Sequence, residues 1–199
     1  MDLFDQQEEF LELEGGYLRL FRSFLSAAES DRLFHYFIDK LKWEQSSIRI
    51  FGKTHLSPRL EAYYSLDPRK SYAYSGKQLT VHEMDPELNS LLEQLNTVFD
   101  HDFNAVLANL YRDGKDSNGW HADDEPELGP QPQIASISLG ASRDFQLKPK
   151  KGGDMLSLQL DHGSLLWMGG KLQQHWKHQL PKRLSVRDAR INLTFRKVY

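Results

Sequence analysis

Arg190-Ile191-Asn192-Leu193-Thr194-Phe195-Arg196 alternates without a break. Successive side chains of an extended chain point to opposite sides, so Ile191, Leu193 and Phe195 share one face and Arg190, Asn192, Thr194 and Arg196 share the other. Such a period of two predicts a half-buried strand. The ordinary reading of its polar face is an edge strand with solvated arginines. Working back from this strand, short apolar runs recur at Asn104 to Tyr111, Ile134 to Leu139, Asp144 to Lys148, Met155 to Leu160 and Ser164 to Met168. Asp113-Gly114, Lys151-Gly152-Gly153, Asp161-His162-Gly163 and Gly169-Gly170 separate them as turns.

The first half of the chain has a different period. Ser26-Ala27-Ala28-Glu29 has the form of a capping box, and Leu33, Phe34, Phe37, Ile38 and Leu41 follow at helical spacing, predicting a helix over about 27–41. A second helix starts at Asp85-Pro86 and carries Leu88, Leu91, Leu92, Leu95, Val98 and Phe99. Helices first and many strands later predict an α+β class, with a β sandwich or jelly roll backed by N-terminal helices. Asp123 to Pro132 reads as a loop. Ser46 to Gly76 has the aromatics of strands but too many turn residues for assignment.

The 199 residues, 39% hydrophobic and 27% charged, fit one domain with a short extension. Zero Cys excludes a disulfide scaffold, a thiol nucleophile, a Cys-ligated zinc site and an iron–sulfur cluster, which leaves His and carboxylates as the strong metal ligands. No apolar run reaches the roughly 18 residues of a membrane span, and Met1-Asp2-Leu3-Phe4-Asp5 lacks the basic start of a secretory signal. The expected location is the cytoplasm, or the nucleus in a eukaryote. The net charge of -3 is strongly segregated: residues 45–82 carry 6 basic and 2 acidic side chains, residues 136–199 carry 12 and 4, and residues 83–135 carry 2 and 12. A cationic face can therefore meet a polyanion despite the negative total.

His121-Ala122-Asp123 can place an imidazole and a carboxylate on one side of an extended segment, where both can grip one ion. Alone the triplet is weak and matches a surface loop equally well. A third ligand is available downstream in Gln174-His175-Trp176-Lys177-His178-Gln179-Leu180-Pro181. His178 is favoured because it precedes a Leu-Pro break at a strand end. His175 stays open as the alternative, or as a residue supporting the site, and His162 reads as a turn residue. Two His and one carboxylate leave open positions on an octahedral ion, which suits iron(II) activating oxygen better than structural zinc. Such an ion needs an electron source, and a 2-oxo diacid that chelates it would want a planar bidentate Arg at its far carboxylate. Arg190 and Arg196, with stems roughly 20 Å apart along the strand, can hold opposite ends of that cosubstrate. Asn109 and Tyr111 also share a face, and buried polar groups of this kind either line a ligand pocket or satisfy the backbone.

Asn109-x-Tyr111, His121-x-Asp123, His178 and Arg190-x-Asn192-x-Thr194-x-Arg196, in that order and with Pro181, resemble the AlkB family of iron(II)- and 2-oxoglutarate-dependent dioxygenases. The resemblance covers about residues 48–198. It is nearest to the branch that repairs alkylated bases in duplex DNA, through Phe51-Gly52-Lys53, Tyr72-x-Tyr74-Ser75-Gly76, Asp123-Asp124-Glu125 and Gly140-x-x-Arg143-Asp144-Phe145. It implies a double-stranded β-helix core over residues 26–199, with a substrate-recognition segment at about 46–80, and it leaves residues 1–25 as an extension without a counterpart. It implies iron ligation by His121, Asp123 and His178, which selects His178 over His175. It further implies 2-oxoglutarate binding by Asn109, Tyr111, Arg190, Thr194 and Arg196. Tyr74 stands where the duplex-repair relatives commonly place Phe.

The activity implied is oxidative demethylation of bases such as 1-methyladenine or 3-methylcytosine in DNA, consuming oxygen and 2-oxoglutarate and releasing formaldehyde. Such bases are cationic and poorly paired, so they cost less to extrude. Asp124 and Glu125 are placed to favour that cation, and Tyr72, Tyr74 and the ring of His121 to clamp the flipped base. Phe51 between Ile50 and Gly52 is expected as an apolar wedge, with Lys53, His55 and Arg59 facing phosphates and Ser75 in the recognition segment. The expected partner is alkylated duplex DNA, bound by a monomer with no membrane contact. The competing readings are a related dioxygenase acting on RNA, single-stranded DNA or protein, and a damage-binding module without catalysis.

Overall fold

The computed structural model describes residues 8–50, 53–67, 73–74 and 77–199; for residues 48–50, 53–54, 73–74 and 77–78 it describes the backbone alone. The chain opens with β1 (Glu8–Leu13) and β2 (Gly16–Phe21), then α1 (Ala27–Lys40). Six short strands follow: β3 (Ser47–Ile50), β4 (Lys53–Leu56), β5 (Leu60–Ser65), β6 (Ala73–Tyr74), β7 (Lys77–Gln78) and β8 (Val81–Glu83). After α2 (Pro86–Phe99) come β9 (Ala105–Tyr111), β10 (Asn118–His121), β11 (Ile134–Gly140), β12 (Arg143–Pro149), β13 (Leu156–Leu160) and β14 (Leu165–Gly170). A four-residue helix, α3 (Leu172–His175), leads into β15 (Trp176–Leu180), and β16 (Arg190–Arg196) ends the core.

Eight strands form one sheet in the order β1-β2-β14-β11-β16-β9-β5-β8, and four form a second in the order β10-β15-β12-β13. Leu18, Leu20, Ile134, Leu166 and Met168 of the large sheet join Leu147, Leu158, Leu160 and Trp176 of the small one in a single apolar cluster. The sheets therefore pack face to face as the double-stranded β-helix, and α1 and α2 cover the other face of the large sheet. Alternation decides which residue goes where. Ile191, Leu193 and Phe195 lie with Leu33, Phe37, Leu88, Leu91 and Leu92 in the helix-side core, each contributing about 1.5–3 kcal/mol by burial.

Both helices start on the caps expected of them. Ser26 Oγ accepts from the Glu29 N–H at 3.2 Å, and an Asp85 carboxylate oxygen accepts from the Glu87 and Leu88 N–H groups at 3.0 and 3.3 Å. At the end of β11, Gly140 has φ +85°, and a Cβ there would lie 2.4 Å from the Ala189 carbonyl oxygen and 2.6 Å from the Phe34 ring, so α1 approaches this corner only over glycine.

One expectation is overturned. Residues 8–21 are not an appendage: β2 pairs with β14 along six residues, from Leu165 opposite Phe21 to Gly170 opposite Gly16, and Leu18 and Leu20 are fully buried. The hairpin β1–β2 completes the large sheet at the edge where β14 would otherwise lie open. Its polar, Glu-rich outer strand hid this in the sequence.

Candidate metal and cosubstrate site

The inner face of the large sheet is where the sequence breaks the rule of a dry core. Antiparallel register lines up three polar rungs: Tyr111 opposite Arg190; Glu61, Asn109, Asn192 and Ser138 across four strands; and Thr194 opposite Ser136. A cleft opens over them, lined also by His121, Asp123, Phe145 and His178 from the region of the small sheet.

At one end, His121 on β10 is the cross-strand partner of His178 on β15, with an irregularity between Asn118 and His121 that re-aims the strand. The two rings lie 4.2 Å apart between centroids. Asp123 Oδ1 is 3.7 Å from His121 Nε2 and 4.0 Å from His178 Nε2. Ligand bonds of about 2.0–2.2 Å on either side of one metal span such gaps. Among the described residues these three form the one His and carboxylate cluster able to hold an ion.

Further observations fit a metal. Asp123 is 1% exposed, and its Oδ1 is buried with no hydrogen-bond partner among the described residues, while Oδ2 accepts from Arg196 Nη2 at 2.7 Å. His121 Nδ1 lies 2.8 Å from the Gly119 carbonyl oxygen, which can only accept, so the proton sits on Nδ1 and the lone pair is on Nε2. The Asp123 N–H donates to Gln173 Oε1 at 3.0 Å, tying the Asp123 backbone to α3, three residues before β15. Burial and the neighbouring His121 push His178 down to about 3, so it is neutral and able to ligate. Burial alone would raise the Asp123 carboxyl, but the Arg196 guanidinium beside it holds it well below the usual carboxylate range.

At the other end, Arg190 is 2% exposed and donates from Nη2 to Ser138 Oγ at 2.9 Å. Among the described residues its Nε finds no hydrogen-bond partner and no carboxylate pairs with it. Burial lowers the guanidinium to about 10, which leaves it charged at neutral pH. The Tyr111 ring lies 5.5 Å from it. An uncompensated buried cation in a cleft calls for an anion from outside the chain.

Every residue expected to hold metal or cosubstrate lines this cleft: Asn109, Tyr111, His121, Asp123, His178, Arg190, Thr194 and Arg196. The substrate-side residues are not gathered in the same way. Asp124 is exposed and pairs with Lys150 at 2.8 Å, and Glu125 starts the short 3-10 turn Pro126–Leu128. Phe51, Gly52, Tyr72 and Ser75 lie outside the described residues, as do the side chains of Lys53 and Tyr74. Arg59 does not face phosphates. It is buried, donating from Nε to Asn109 Oδ1 at 2.8 Å and from Nη2 to Glu61 Oε1 at 2.5 Å. His175 stands away from the cluster, against Gly15 and Glu14. Reading the sequence missed Ser136, Ser138 and Gln173. The first two carry a signal, since Ser136-x-Ser138 interrupts an apolar strand on alternate positions; Gln173 reaches Asp123 across 50 residues and carries none.

A model of the 2OG-Fe(II) oxygenase superfamily matches residues 17–196. The chain belongs to that superfamily. Within it the chain is 39% identical over 182 residues to the "DNA oxidative demethylase ALKBH2" of Mus musculus, covering 86% of this chain and 76% of that protein, which places it in the AlkB family. It is 38% identical over 190 residues to the human "Alpha-ketoglutarate-dependent dioxygenase alkB homolog 3", covering 90% of this chain and 65% of that one. The chain thus spans just under two thirds of the human, bovine and rat homolog 3 proteins. Among solved structures, OsALKBH1 superposes with a TM-score of 0.65 at 17% identity, covering 94% of this chain and all of that one, and so shares the fold. For this oxygenase, iron(II), 2-oxoglutarate and oxygen are the cofactor and cosubstrates that the superfamily implies, and the two ends of the cleft fit a metal and a diacid.

Proposed function

We propose that this oxygenase removes N-methyl groups from DNA bases of the 1-methyladenine and 3-methylcytosine type. The observation that carries the reading is the pairing, in one cleft, of the His121–Asp123–His178 cluster, buried at Asp123 and His178 and half-buried at His121, with an Arg190 that no carboxylate among the described residues compensates. The names of the mouse and Arabidopsis thaliana relatives, both DNA oxidative demethylases, support DNA as the substrate. His121, Asp123 and His178 would hold the iron. Arg190, with Tyr111 beside it, would take the far carboxylate of 2-oxoglutarate, and Asn109, Thr194 and Arg196 the remainder. When bound, iron(II) with 2-oxoglutarate and oxygen supplies the oxidation of N-methyl to N-hydroxymethyl, giving succinate and carbon dioxide, after which formaldehyde leaves and the base is restored.

The chain's own part is positioning. Arg196 holds one Asp123 oxygen so that the other faces the histidines, and the Gly119 carbonyl fixes the His121 tautomer. Phe145 stands beside His178, 5.2 Å between ring centroids. On the substrate side, Phe51, Gly52, Lys53, Tyr72, Tyr74, Ser75, Asp124 and Glu125 would receive the extruded base, with duplex DNA as the preferred form and a monomer as the active state. No helix among the described residues is long and apolar enough to cross a membrane, and the compartment proposed is wherever the cell keeps its DNA.

Formaldehyde release from methylated duplex DNA, single-stranded DNA and RNA tests this directly. The expected order has duplex DNA first. Asp123→Ala should lose both iron retention and formaldehyde release; activity in that variant after iron depletion would overturn the site.

A further inference from the structure

Asn109 lines the cleft at the position proposed for cosubstrate, and an amide can present either its oxygen or its NH₂. What fixes the choice lies behind it. Glu61 on β5 is directly opposite Asn109 on β9, and Arg59, two residues earlier on the same face, reaches both. A guanidinium donates and never accepts, so the Asn109 atom 2.8 Å from Arg59 Nε is the oxygen. The NH₂ is the edge left over, on a side chain that lines the cleft. Arg59 Nη2 spends its own donor on Glu61 Oε1, and the other oxygen, Glu61 Oε2, accepts from Ser46 Oγ. Arg59, Glu61 and Asn109 are all buried.

We propose that Arg59, braced by Glu61, is a positioning residue that locks the Asn109 amide with its NH₂ toward an oxygen of the bound 2-oxoglutarate. This rests on the reading of Asn109 as a cosubstrate residue. The planar fork of Arg is required because two acceptors on different strands must be met from one edge, which the single point charge of Lys cannot do. The chain Ser46–Glu61–Arg59–Asn109 also runs from the segment expected to recognise the base into the cosubstrate cleft, so it joins the two halves of the site physically.

The test is a double-mutant cycle on 2-oxoglutarate affinity, measured by calorimetry on the full chain loaded with Mn(II) in place of iron, with melting temperature as the control for folding. Arg59→Lys and Asn109→Ala should each weaken 2-oxoglutarate binding about tenfold, the loss of one well-oriented hydrogen bond. Because Arg59 acts through Asn109, the double variant should also lose about tenfold and not a hundredfold. In turnover, Arg59→Lys should raise the KM for 2-oxoglutarate more than it lowers kcat. Additive losses, or an Arg59→Lys affinity equal to wild type, would overturn the proposal while leaving the Asn109 assignment standing. An Asn109→Ala affinity equal to wild type would overturn that assignment and the relay with it. If Arg59→Lys does not fold, Glu61→Gln carries the same cycle: a loss of a few fold that vanishes in the Asn109→Ala background is expected, and a loss that persists there refutes the relay.

Discussion

Among the described residues no carboxylate pairs with the buried Arg190, an arrangement with a stability cost that the proposed cosubstrate role would account for. Taking a charge out of water costs several kcal/mol per ion even after relaxation, so an apolar residue of similar length removes a cost there. Arg190→Met is therefore expected to raise the melting temperature of the ligand-free protein while weakening 2-oxoglutarate more than a hundredfold; a lower melting temperature would show that the Ser138 hydrogen bond outweighs the buried charge. His178 gives a pH dependence of definite sign. Its folded value of about 3 lies below the roughly 6.5 of an unfolded His. The unfolded chain takes up the proton first, so the stability of the neutral ring is fully present above pH 6.5 and is lost as pH falls toward 3. Between pH 6.5 and 5 the metal-free protein should lose about 2 kcal/mol through this group. Denaturant titrations of wild type and His178→Gln at the two pH values check it: the variant's loss should be smaller by that amount. Residue roles were legible in the sequence where a strand or triplet displayed them, as in Arg190 to Arg196 and His121-x-Asp123. They were illegible where a partner came from afar: Arg59 looked like a surface cation because nothing local reveals Glu61 and Asn109 waiting on its own face.

At the scale of elements, periodicity carried most of the fold. The two helices and the strands β9, β11, β12, β13, β14 and β16 fall within about one to two residues of the expected bounds, because each has one apolar face and a marked end. The stretch 46–80 resisted for a physical reason. Its strands β3, β4, β6 and β7 are two to four residues long and pair only as two-stranded ribbons, too short for alternation to register. The hairpin β1–β2 resisted because four leucines alone mark its inner side, Leu18 and Leu20 fully buried and Leu11 and Leu13 half-buried beside them. That burial makes a clear prediction: Leu18→Ala should cost about 2–5 kcal/mol, read as a shift of the urea midpoint without change of slope. A dispensable extension would show no shift.

For the whole molecule, charge segregation matters more than the total of -3. Contacts to phosphates release condensed counterions, so affinity follows the number of cations brought to the backbone and falls steeply with salt. The DNA binding proposed above should weaken by at least about tenfold between 50 and 200 mM salt, measured by fluorescence anisotropy on methylated duplex. A flat salt response would mean that the lysines and arginines of residues 136–199 do not meet phosphate. Several of them are already engaged internally: Arg190 and Arg196 in the cleft, Arg143 on the carbonyls of Asp116 and Pro181, Lys197 with Asp102.

Arg190 and Arg196 stand at the two ends of one seven-residue strand hydrogen-bonded on both sides, to β11 and to β9. A strand held that way can neither stretch nor shorten, so it serves as a gauge. For the cosubstrate proposed above, the separation of the two arginine stems that would meet its ends is then set by β-sheet spacing as much as by any single side chain.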